Sequence, residues 1–247
     1  VVAVDLFGLP ADYPAIKPIC EKYGLKLLED GAQGFGGAIG DELACSFGDI
    51  STTSFFPAKP LGCYGDGGAV FTDDDDWAAL IRSYAVHGKG TFKYDNVRIG
   101  MNSRLDTLQA AVLLPKLRAL RTYELDALNA AAAAYAQALD GCVETPRVPD
   151  GHQSSWAQYT VLLENRARRD GAQRFLRERG IPSMIYYPRC IHQQTAYADR
   201  QFDDALYPGA LAACDRVLSL PMHPYLTGED IGRVAEALRQ YCLAGWD

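Results

Sequence analysis

The first third of the chain alternates between segments typical of β-strands and segments typical of α-helices. We predict strands at Val1–Phe7, Leu25–Glu29, Asp49–Phe56 and Gly68–Thr72, and helices at Tyr13–Tyr23 and Trp77–Tyr84. This alternation favours an α/β fold with a mostly parallel sheet covered by helices. Ligands of such sheets gather at the carboxyl ends of the strands, so the pattern also predicts where a site lies.

A long helical region follows the predicted sheet. Apolar residues recur at helical spacing over Leu105–Leu139, and Pro115 is expected to kink this helix. The remainder reads as a smaller α+β unit, with strands at Tyr159–Leu163 and Ser183–Tyr187 and helices at Arg169–Arg179, Tyr207–Arg216 and Gly228–Tyr241. We therefore predict that residues 1–117 are the remainder of a large domain. Residues 118–247 then form a connecting helix and a small C-terminal domain.

The start of the chain is unusual. Val1–Phe7 reads as a buried strand with no approach segment and no initiator methionine. We expect that the numbering begins partway through a longer domain, whose N-terminal part would contribute to the same site.

Composition argues against several classes of protein. The net charge of −7 and the pI of about 5.1 do not favour binding to nucleic acid or to an anionic membrane. The seven cysteines form no CxxC pair, which indicates a reduced, cytoplasmic compartment rather than a disulfide framework. The four histidines show no metal-ligand spacing, so no metal is expected. No segment is long and apolar enough to span a bilayer, and none resembles a signal peptide.

Lys59 is the first candidate for chemistry. It follows the third predicted strand in a loop, Pro57–Gly68, that is rich in glycine and proline. Loops of this kind hold reactive groups on a rigid frame. A lysine that loses its proton there can attack a carbonyl and form a Schiff base. The alternative is a solvated surface lysine, which most lysines are.

Polar side chains near two strand ends extend this hypothesis. Asp30 follows the second predicted strand, and an ionised aspartate keeps a pyridine nitrogen protonated, which makes the ring a strong electron sink. Gln33 can donate to a ring oxygen, and the Ser54 hydroxyl is suited to a phosphate. The alternatives are a turn cap for Asp30 and simple strand packing for Ser54. Together with Lys59, these residues describe a pocket for pyridoxal phosphate.

These residues belong to a larger set of motifs. The chain resembles the pyridoxal-phosphate sugar-nucleotide aminotransferases of the DegT/StrS type, within fold type I, the aspartate-aminotransferase class. The matching segments are Glu29–Gln33, Ser54–Lys59, Gly65–Gly68, His87–Gly88, Gly100–Ala111 and Leu218–Tyr225. The resemblance covers nearly the whole chain, in the family's order. The Ser54–Gly68 segment is most similar to the branch that acts on a UDP-linked 2-acetamido-3-oxo-glucuronate.

The resemblance implies a role for each cofactor-binding residue. Lys59 would hold the cofactor and then move a proton between the substrate carbon and the cofactor. Asp30 would pair with the pyridine nitrogen, Gln33 would contact the ring hydroxyl, and Ser54 would bind the phosphate. Asn102 would reach the phosphate of the partner subunit, so a homodimer with a shared active site would be the working unit.

The resemblance also implies substrate-binding residues. Arg104, His223 and Tyr225 are the candidates for the sugar carboxylate and its surroundings, because a guanidinium donates two parallel hydrogen bonds to a carboxylate. The alternatives are an ion pair between Arg104 and Asp106 or a neighbouring helix, and a packed loop position for His223. The segment Tyr186–Pro188 departs from the His-Tyr-Pro that the family often has near the substrate.

The implied reaction is a two-stage exchange with ping-pong kinetics. L-Glutamate would give its amine to the cofactor, which would then aminate a keto-sugar nucleotide for surface-polysaccharide or lipopolysaccharide synthesis. Two alternatives remain. A pyridoxal-phosphate sugar dehydratase of the same fold replaces the lysine with histidine, which Lys59 disfavours. A regulatory or sensing protein that lost catalysis is disfavoured by the presence of Lys59, Asp30 and Gln33 together.

Overall fold

The computed structural model describes residues 1–92 and 94–244. The chain forms two compact units. One contains Val1–Asp126 and Val148–Ala157, and the other contains Ala127–Arg147 and Gln158–Asp247. The domain division expected between residues 117 and 118 stays a prediction.

The first unit is built on a four-stranded sheet. The strands of this unit are β1 (Val2–Val4), β2 (Leu28–Asp30), β3 (Ala38–Ile39), β4 (Glu42–Leu43), β5 (Ile50–Ser54), β6 (Gly68–Phe71) and β7 (His152–Gln153). The main sheet has the order β1-β2-β5-β6, in which β1, β2 and β5 are parallel and β6 is antiparallel to β5. The expectation of a mostly parallel sheet is confirmed. Strands β4, β3 and β7 form a small antiparallel sheet that the sequence did not predict.

The register brings the ends of the parallel strands together. Val4 pairs with Asp30, and Asp30 pairs with Thr52. The backbone continues this alignment past the strands, because Asp5 N–H donates to the Asp30 carbonyl at 3.1 Å and Gly31 N–H donates to the Thr52 carbonyl at 2.8 Å. The turns that follow β1, β2 and β5 therefore lie side by side at one edge of the sheet.

Strand β1 differs from the prediction. We expected a buried strand over Val1–Phe7, whereas β1 covers Val2–Val4 and a 3-10 turn, Leu6–Gly8, follows it. Within β1 only Ala3 is buried, and Val2 is 65% exposed. The reason is that β1 lies at the edge of the described sheet and packs one face on the core.

The helices of the first unit are α1 (Tyr13–Tyr23), α2 (Asp75–Ala85) and α3 (Thr107–Ala119). Asp12 caps α1 by accepting from Ala15 N–H, and the helix ends at Gly24 with a left-handed φ of 60°. Asp74 caps α2 in the same way, by accepting from Trp77 N–H.

The long helical region is interrupted after α3, and the kink expected at Pro115 stays a prediction. A π-helical turn, Leu120–Glu124, joins α3 to α4 (Leu125–Ala138), whereas Pro115 lies inside α3. No helix among the described residues is long and apolar enough to cross a membrane.

Two core clusters support the main sheet. In one, the rings of Tyr13 and Phe47 stack with centroids 4.5 Å apart. The other lies beneath the loop that carries Lys59 and contains Phe55, Leu61 and Cys63 together with residues of the α3 region. This second cluster gives the lysine loop a packed base.

The second unit is a smaller α+β structure, as expected. Its further elements are β8 (Tyr159–Leu162), α5 (Arg166–Glu178), α6 (Pro208–Arg216), β9 (Val217–Leu220) and α7 (Gly228–Leu243), and β8 and β9 are antiparallel. Buried Tyr135 stacks on Tyr159, and its hydroxyl donates to the Pro221 carbonyl at 3.0 Å. Thr227 caps α7, as predicted.

The strand predicted at Ser183–Tyr187 is wrong. Within this segment only Met184 makes a β-bridge, to Ser219. Pro182 and Pro188 flank the segment and provide no N–H donors, so a continuous ladder is not available there.

Candidate active site

The site at the edge of the sheet begins with the turn after β2. Asp30 is half-buried, and its Oδ1 accepts from Ala32 N–H at 3.1 Å. One carboxylate oxygen therefore makes the turn cap that was the alternative to a ligand role. No hydrogen bond to Oδ2 occurs within residues 1–92 and 94–244, so the second oxygen is free to accept from a ligand.

Glu29 faces the opposite side of β2 and explains why this turn is well held. It is fully buried, and its Oε2 accepts from Phe47 N–H at 2.8 Å and Ser51 Oγ–H at 2.7 Å. Its Oε1 accepts from Cys45 N–H. A buried carboxylate is tolerated because these donors replace water. Glu29 is therefore a structural anchor, although it lies in a motif that marks the family.

Gln33 is oriented by the segment after β1. It is 7% exposed, and its Oε1 accepts from Phe7 N–H at 2.6 Å. A backbone N–H can only donate, so this contact fixes which end of the carboxamide is the oxygen. The Gln33 carbonyl also accepts from the Ser155 hydroxyl at 2.7 Å. The Nε2 donor is thereby left for another acceptor.

Ser54 is the last residue of β5, the neighbour of β2, and Lys59 lies in the loop that follows. The Ser54 Oγ accepts from Phe56 N–H at 3.2 Å, which leaves its hydroxyl hydrogen available to an anion. Lys59 is half-buried, and its backbone N–H donates to the Phe56 carbonyl at 2.8 Å. No side-chain hydrogen bond or ion pair of Lys59 occurs within the described part of the chain. A fully solvated lysine is therefore not what is observed.

The lysine loop folds back tightly on itself. Cys63 N–H donates to the Phe55 carbonyl at 2.8 Å, and its thiol donates to the same carbonyl at 3.0 Å. A Cβ on Gly62 would lie 2.5 Å from the Pro57 carbonyl oxygen, so only glycine fits there. The loop is a compact structure rather than a flexible tether.

Gln109 holds the far side of this loop. Its Oε1 accepts from Tyr64 N–H at 2.8 Å, across 45 residues of sequence. Gln109 lies in the Gly100–Ala111 motif, but its position in the sequence had suggested no role. The sequence feature that could have identified Gln109 is that it is a polar side chain in the first turns of a largely apolar helix.

Asp5 is a second residue that was not predicted from the sequence. It is fully buried after β1, and its Oδ1 accepts from the Tyr13 hydroxyl at 2.7 Å and from Ala11 N–H at 3.1 Å. Its Oδ2 has no hydrogen-bond partner in the described structure. Burial raises the pKa of Asp5 to about 7 despite those two hydrogen bonds, and the Glu29 carboxylate adds to the rise. The sequence analysis placed Asp5 inside the predicted strand Val1–Phe7, whereas β1 ends at Val4, so Asp5 was not recognised as an acid at a strand end.

Asn102 and Arg104 form a separate exposed cluster in the first unit. Arg104 Nε donates to Asn102 Oδ1 at 3.0 Å. The ion pair between Arg104 and Asp106 that was considered as an alternative is not among the ion pairs of the described residues. The planar end of Arg104 remains exposed to solvent.

His223 and Tyr225 lie in the second unit, in the loop between β9 and α7. Both are exposed, and Tyr225 N–H donates to His223 Nδ1 at 3.2 Å. His223 is thus not a packed loop histidine. Within residues 1–92 and 94–244, no group of three or more His, Cys, Asp or Glu side chains could hold a metal ion.

Comparison with known proteins identifies the family. The DegT/DnrJ/EryC1/StrS aminotransferase family model matches residues 1–239, and the chain belongs to this family. It is 43% identical over 239 residues to UDP-2-acetamido-2-deoxy-3-oxo-D-glucuronate aminotransferase of Pseudomonas aeruginosa. That match covers 96% of this chain and 64% of the relative.

Solved structures of the family have the same fold. A DegT DnrJ EryC1 StrS aminotransferase from Brucella abortus is 48% identical with a TM-score of 0.89, over 97% of this chain and 63% of that one. S. venezuelae DesV, in complex with a ketimine intermediate, is 35% identical with a TM-score of 0.91, over 98% of this chain and 64% of that one. The predicted family and fold class are confirmed. The chain spans just under two thirds of the length of these relatives.

Proposed function

We propose that this chain carries the lysine-bearing part of a pyridoxal-phosphate aminotransferase that acts on a keto-sugar nucleotide. One observation carries the proposal most strongly. Strands β2 and β5 are parallel neighbours, and Asp30 of β2 is paired with Thr52 of β5. Gln33 lies in the turn after β2, and Lys59 lies in the loop after β5. Residues that are far apart in sequence thereby reach one edge of the sheet, where ligands of such sheets bind.

The free hydrogen-bonding groups fit the cofactor. Asp30 has an available carboxylate oxygen for a protonated ring nitrogen, and Gln33 has an available Nε2 donor for the ring hydroxyl. Ser54 retains a hydroxyl hydrogen for the phosphate. Pyridoxal phosphate, when bound, supplies an electron sink that stabilises negative charge on the substrate carbon. Each proposed residue thus has the chemical group that its role requires.

Lys59 has the two roles that an amine at this position can perform. Its Nζ would hold the cofactor through the aldehyde carbon and, once free, would move a proton at the substrate carbon. The compact loop limits where this amine can be, because Gly62 packs against Pro57 and Gln109 holds Tyr64. A lysine on a rigid loop loses little entropy when it is positioned for proton transfer.

We propose L-glutamate as the amino donor and a UDP-linked 3-oxo-uronate as the acceptor, for a surface-polysaccharide precursor. The Pseudomonas aeruginosa relative is named for an acceptor of this type. Arg104 is the proposed ligand of the sugar carboxylate because its exposed guanidinium offers paired donors that a carboxylate accepts. For His223 and Tyr225, the substrate roles implied by the resemblance stay predictions.

The working unit that we propose is a homodimer in which Asn102 serves the partner's site. Apolar side chains are strongly exposed on both sides of Asn102 in the sequence. Ile99 is 95% exposed and Leu108 is 80% exposed. Large apolar side chains this exposed are costly in water, and several of them close together would favour an interaction surface. A second copy of the chain is the occupant that would place Asn102 beside another active site. We further propose that the enzyme works in the cytoplasm.

Reduction with borohydride tests the proposed function. Purified protein incubated with pyridoxal phosphate should become yellow, and borohydride should fix the cofactor to the peptide that contains Lys59. L-Glutamate added before the reductant should change the absorption spectrum and prevent this labelling. A colourless protein, or one whose spectrum no amino acid changes, would favour the non-catalytic regulatory alternative.

A further inference from the structure

Two cysteines of the second unit lie in contact. The Sγ atoms of Cys190 and Cys214 are 3.6 Å apart, although the residues are separated by 24 positions in sequence. Cys190 is buried, with 6% exposure, and Cys214 is half-buried. A disulfide requires about 2.05 Å between the sulfur atoms, so a small movement of the side chains would close the bond.

Both cysteines are held by their surroundings. Cys214 lies in the last turn of α6, and its carbonyl accepts from the buried guanidinium of Arg169. Cys190 immediately precedes a 3-10 turn, Ile191–Gln193, and its carbonyl accepts from Gln193 N–H at 3.1 Å. The thiol contact therefore joins two anchored positions rather than two mobile ones.

The segment between the two cysteines consists of a loop followed by most of α6, and side-chain contacts already close the loop near its base. The imidazole of His192 contacts Asp204 at 2.8 Å, and Gln193 Nε2 donates to the same carboxylate at 3.0 Å. The ring of His192 also stacks on Tyr207, with centroids 4.5 Å apart. The tip of this loop, around Arg200, is exposed. A covalent bond at the base would reinforce an existing closure without reshaping the loop.

Neither a metal site nor simple packing accounts fully for the contact. A metal site would need further ligands, and no group of three or more His, Cys, Asp or Glu side chains in the described structure could hold a metal. Packing of two small apolar groups accounts for the burial of the thiols. It does not require that the sulfur atoms face each other.

We propose that Cys190 and Cys214 form a redox modification site, at which a peroxide converts the two thiols to a disulfide. One thiolate attacks a peroxide oxygen, which gives a sulfenic acid and water. The second thiol then displaces the sulfenic oxygen as a second water, and the sulfur–sulfur bond forms. In sum, two thiols lose two electrons and two protons, and one peroxide is reduced to two molecules of water. A small dithiol reverses the change by exchange.

The environment predicts a slow reaction. Burial raises the pKa of the Cys214 thiol to about 11, and the neighbouring Cys190 adds to the rise. Thiolate is then scarce at neutral pH, so the bond should form over minutes to hours and not at the rate of a dedicated peroxide sensor.

Peptide mapping tests the proposal, because trypsin separates the two cysteines cleanly. Trypsin cleaves after Arg189, Arg200 and Arg216. This cleavage gives two peptides, residues 190–200 and 201–216, with one cysteine in each. After treatment with hydrogen peroxide and alkylation of the remaining thiols, non-reducing mass spectrometry should find these peptides joined. Dithiothreitol should separate them.

Matched variants make the result specific. Cys190→Ser and Cys214→Ser should each abolish the joined peptides, whereas the double variant Cys142→Ser/Cys242→Ser should retain them. Cys142 and Cys242 also neighbour each other. They are the second pair of thiols that peroxide could join, so their removal controls for a bond formed elsewhere in the second unit. The proposal is overturned if Cys190 and Cys214 both remain alkylated after peroxide. It is also overturned if either forms its bond with a different cysteine.

Discussion

The backbone N–H of Phe7 donates to the side-chain oxygen of Gln33 at 2.6 Å, and this contact determines what Gln33 can offer a ligand. With the oxygen already accepting from Phe7 N–H, the amide nitrogen is the end of the carboxamide that has no hydrogen bond to the described residues. The segment after β1 thus orients a side chain in the turn after β2, and the adjacency of these two strands is what allows it.

Two substitutions of Gln33 separate its structural role from its proposed ligand role. Gln33→Glu keeps an oxygen for Phe7 N–H but loses the amide donor, so cofactor affinity should fall about tenfold, the value of one hydrogen bond. Gln33→Met loses both and should also unfold about 1–3 kcal/mol more easily, because Phe7 N–H is left unpaired. Fluorescence titration with pyridoxal phosphate and urea unfolding measure the two effects. Unchanged affinity in both variants would remove Gln33 from the cofactor site.

Substitution of Lys59 should abolish turnover. Lys59→Ala lacks the amine that binds the cofactor and moves the proton, so the rate should fall by at least about a thousandfold. The variant should still bind pyridoxal phosphate weakly, but borohydride should no longer fix it. Lys22→Ala, at an exposed position of α1, is the control and should behave like the parent. Near-normal turnover by Lys59→Ala would contradict the assigned role.

Asp30→Asn tests the electron sink without disturbing the turn. Asparagine retains an oxygen that can accept from Ala32 N–H, which Asp30 Oδ1 does at 3.1 Å. It cannot hold the ring nitrogen in its protonated form, so the proton-transfer step with glutamate should slow about a hundredfold or more. Single-turnover absorbance changes measure this step directly. An unchanged single-turnover rate would show that Asp30 acts only as a turn cap.

The buried carboxyl of Asp5 should make stability depend on pH. Its pKa is raised from 3.8 to about 7 in the folded protein, so the folded state holds a proton that the unfolded chain releases. This stabilisation is complete when the pH is below the pKa of Asp5 in the unfolded chain. It is lost, at about 1.4 kcal/mol per pH unit, as the pH rises from that pKa through the pKa in the folded protein. Asp5→Asn cannot ionise. Its free energy of unfolding, relative to that of the parent, should therefore rise by about 3 kcal/mol from about pH 5 to about pH 8.

Urea titrations at several pH values provide the measurement. Asp199→Asn, at an exposed position in the second unit, is the control and should follow the pH dependence of the parent. If Asp5→Asn and the parent show parallel curves, Asp5 does not hold a proton in the folded state.

Mixing two inactive variants tests the shared active site. Lys59→Ala and Asn102→Ala should each be impaired alone. In a mixed dimer, one site combines an intact Lys59 with an intact Asn102 from the other subunit. Equal mixing with subunit exchange should therefore restore about a quarter of the parent activity. If native mass spectrometry detects mixed dimers and activity does not return, Asn102 does not act across the interface.

The sequence predicted the elements that have strong local signals. Helix α1 begins and ends as expected because Asp12 and Gly24 mark its boundaries. Strand–helix alternation predicted that the Asp30 and Lys59 segments both lie at carboxyl ends of strands. That these two strands are direct neighbours, β2 beside β5, is known only from the structure. The small sheet that contains Ala38–Ile39 was missed because two-residue strands have no detectable periodicity.

The contacts that refine the site were not predictable in the same way. The pairing of Phe7 N–H with Gln33 and that of Tyr64 N–H with Gln109 depend on tertiary structure, because a backbone donor leaves no trace in sequence. Asp5 lay inside the predicted strand Val1–Phe7, so its sequence position gave no sign of a special role. Its complete burial, which only the tertiary structure shows, is what makes it a proton-holding core acid.

The close fit of Gly62 against the Pro57 carbonyl has a consequence for engineering. A library that randomises Gly62 along with the residues around Lys59 would consist mainly of proteins whose loop cannot close in this way, whatever substrate was intended. New acceptor specificity is better sought by varying exposed positions such as Arg104, which can change without displacing the amine.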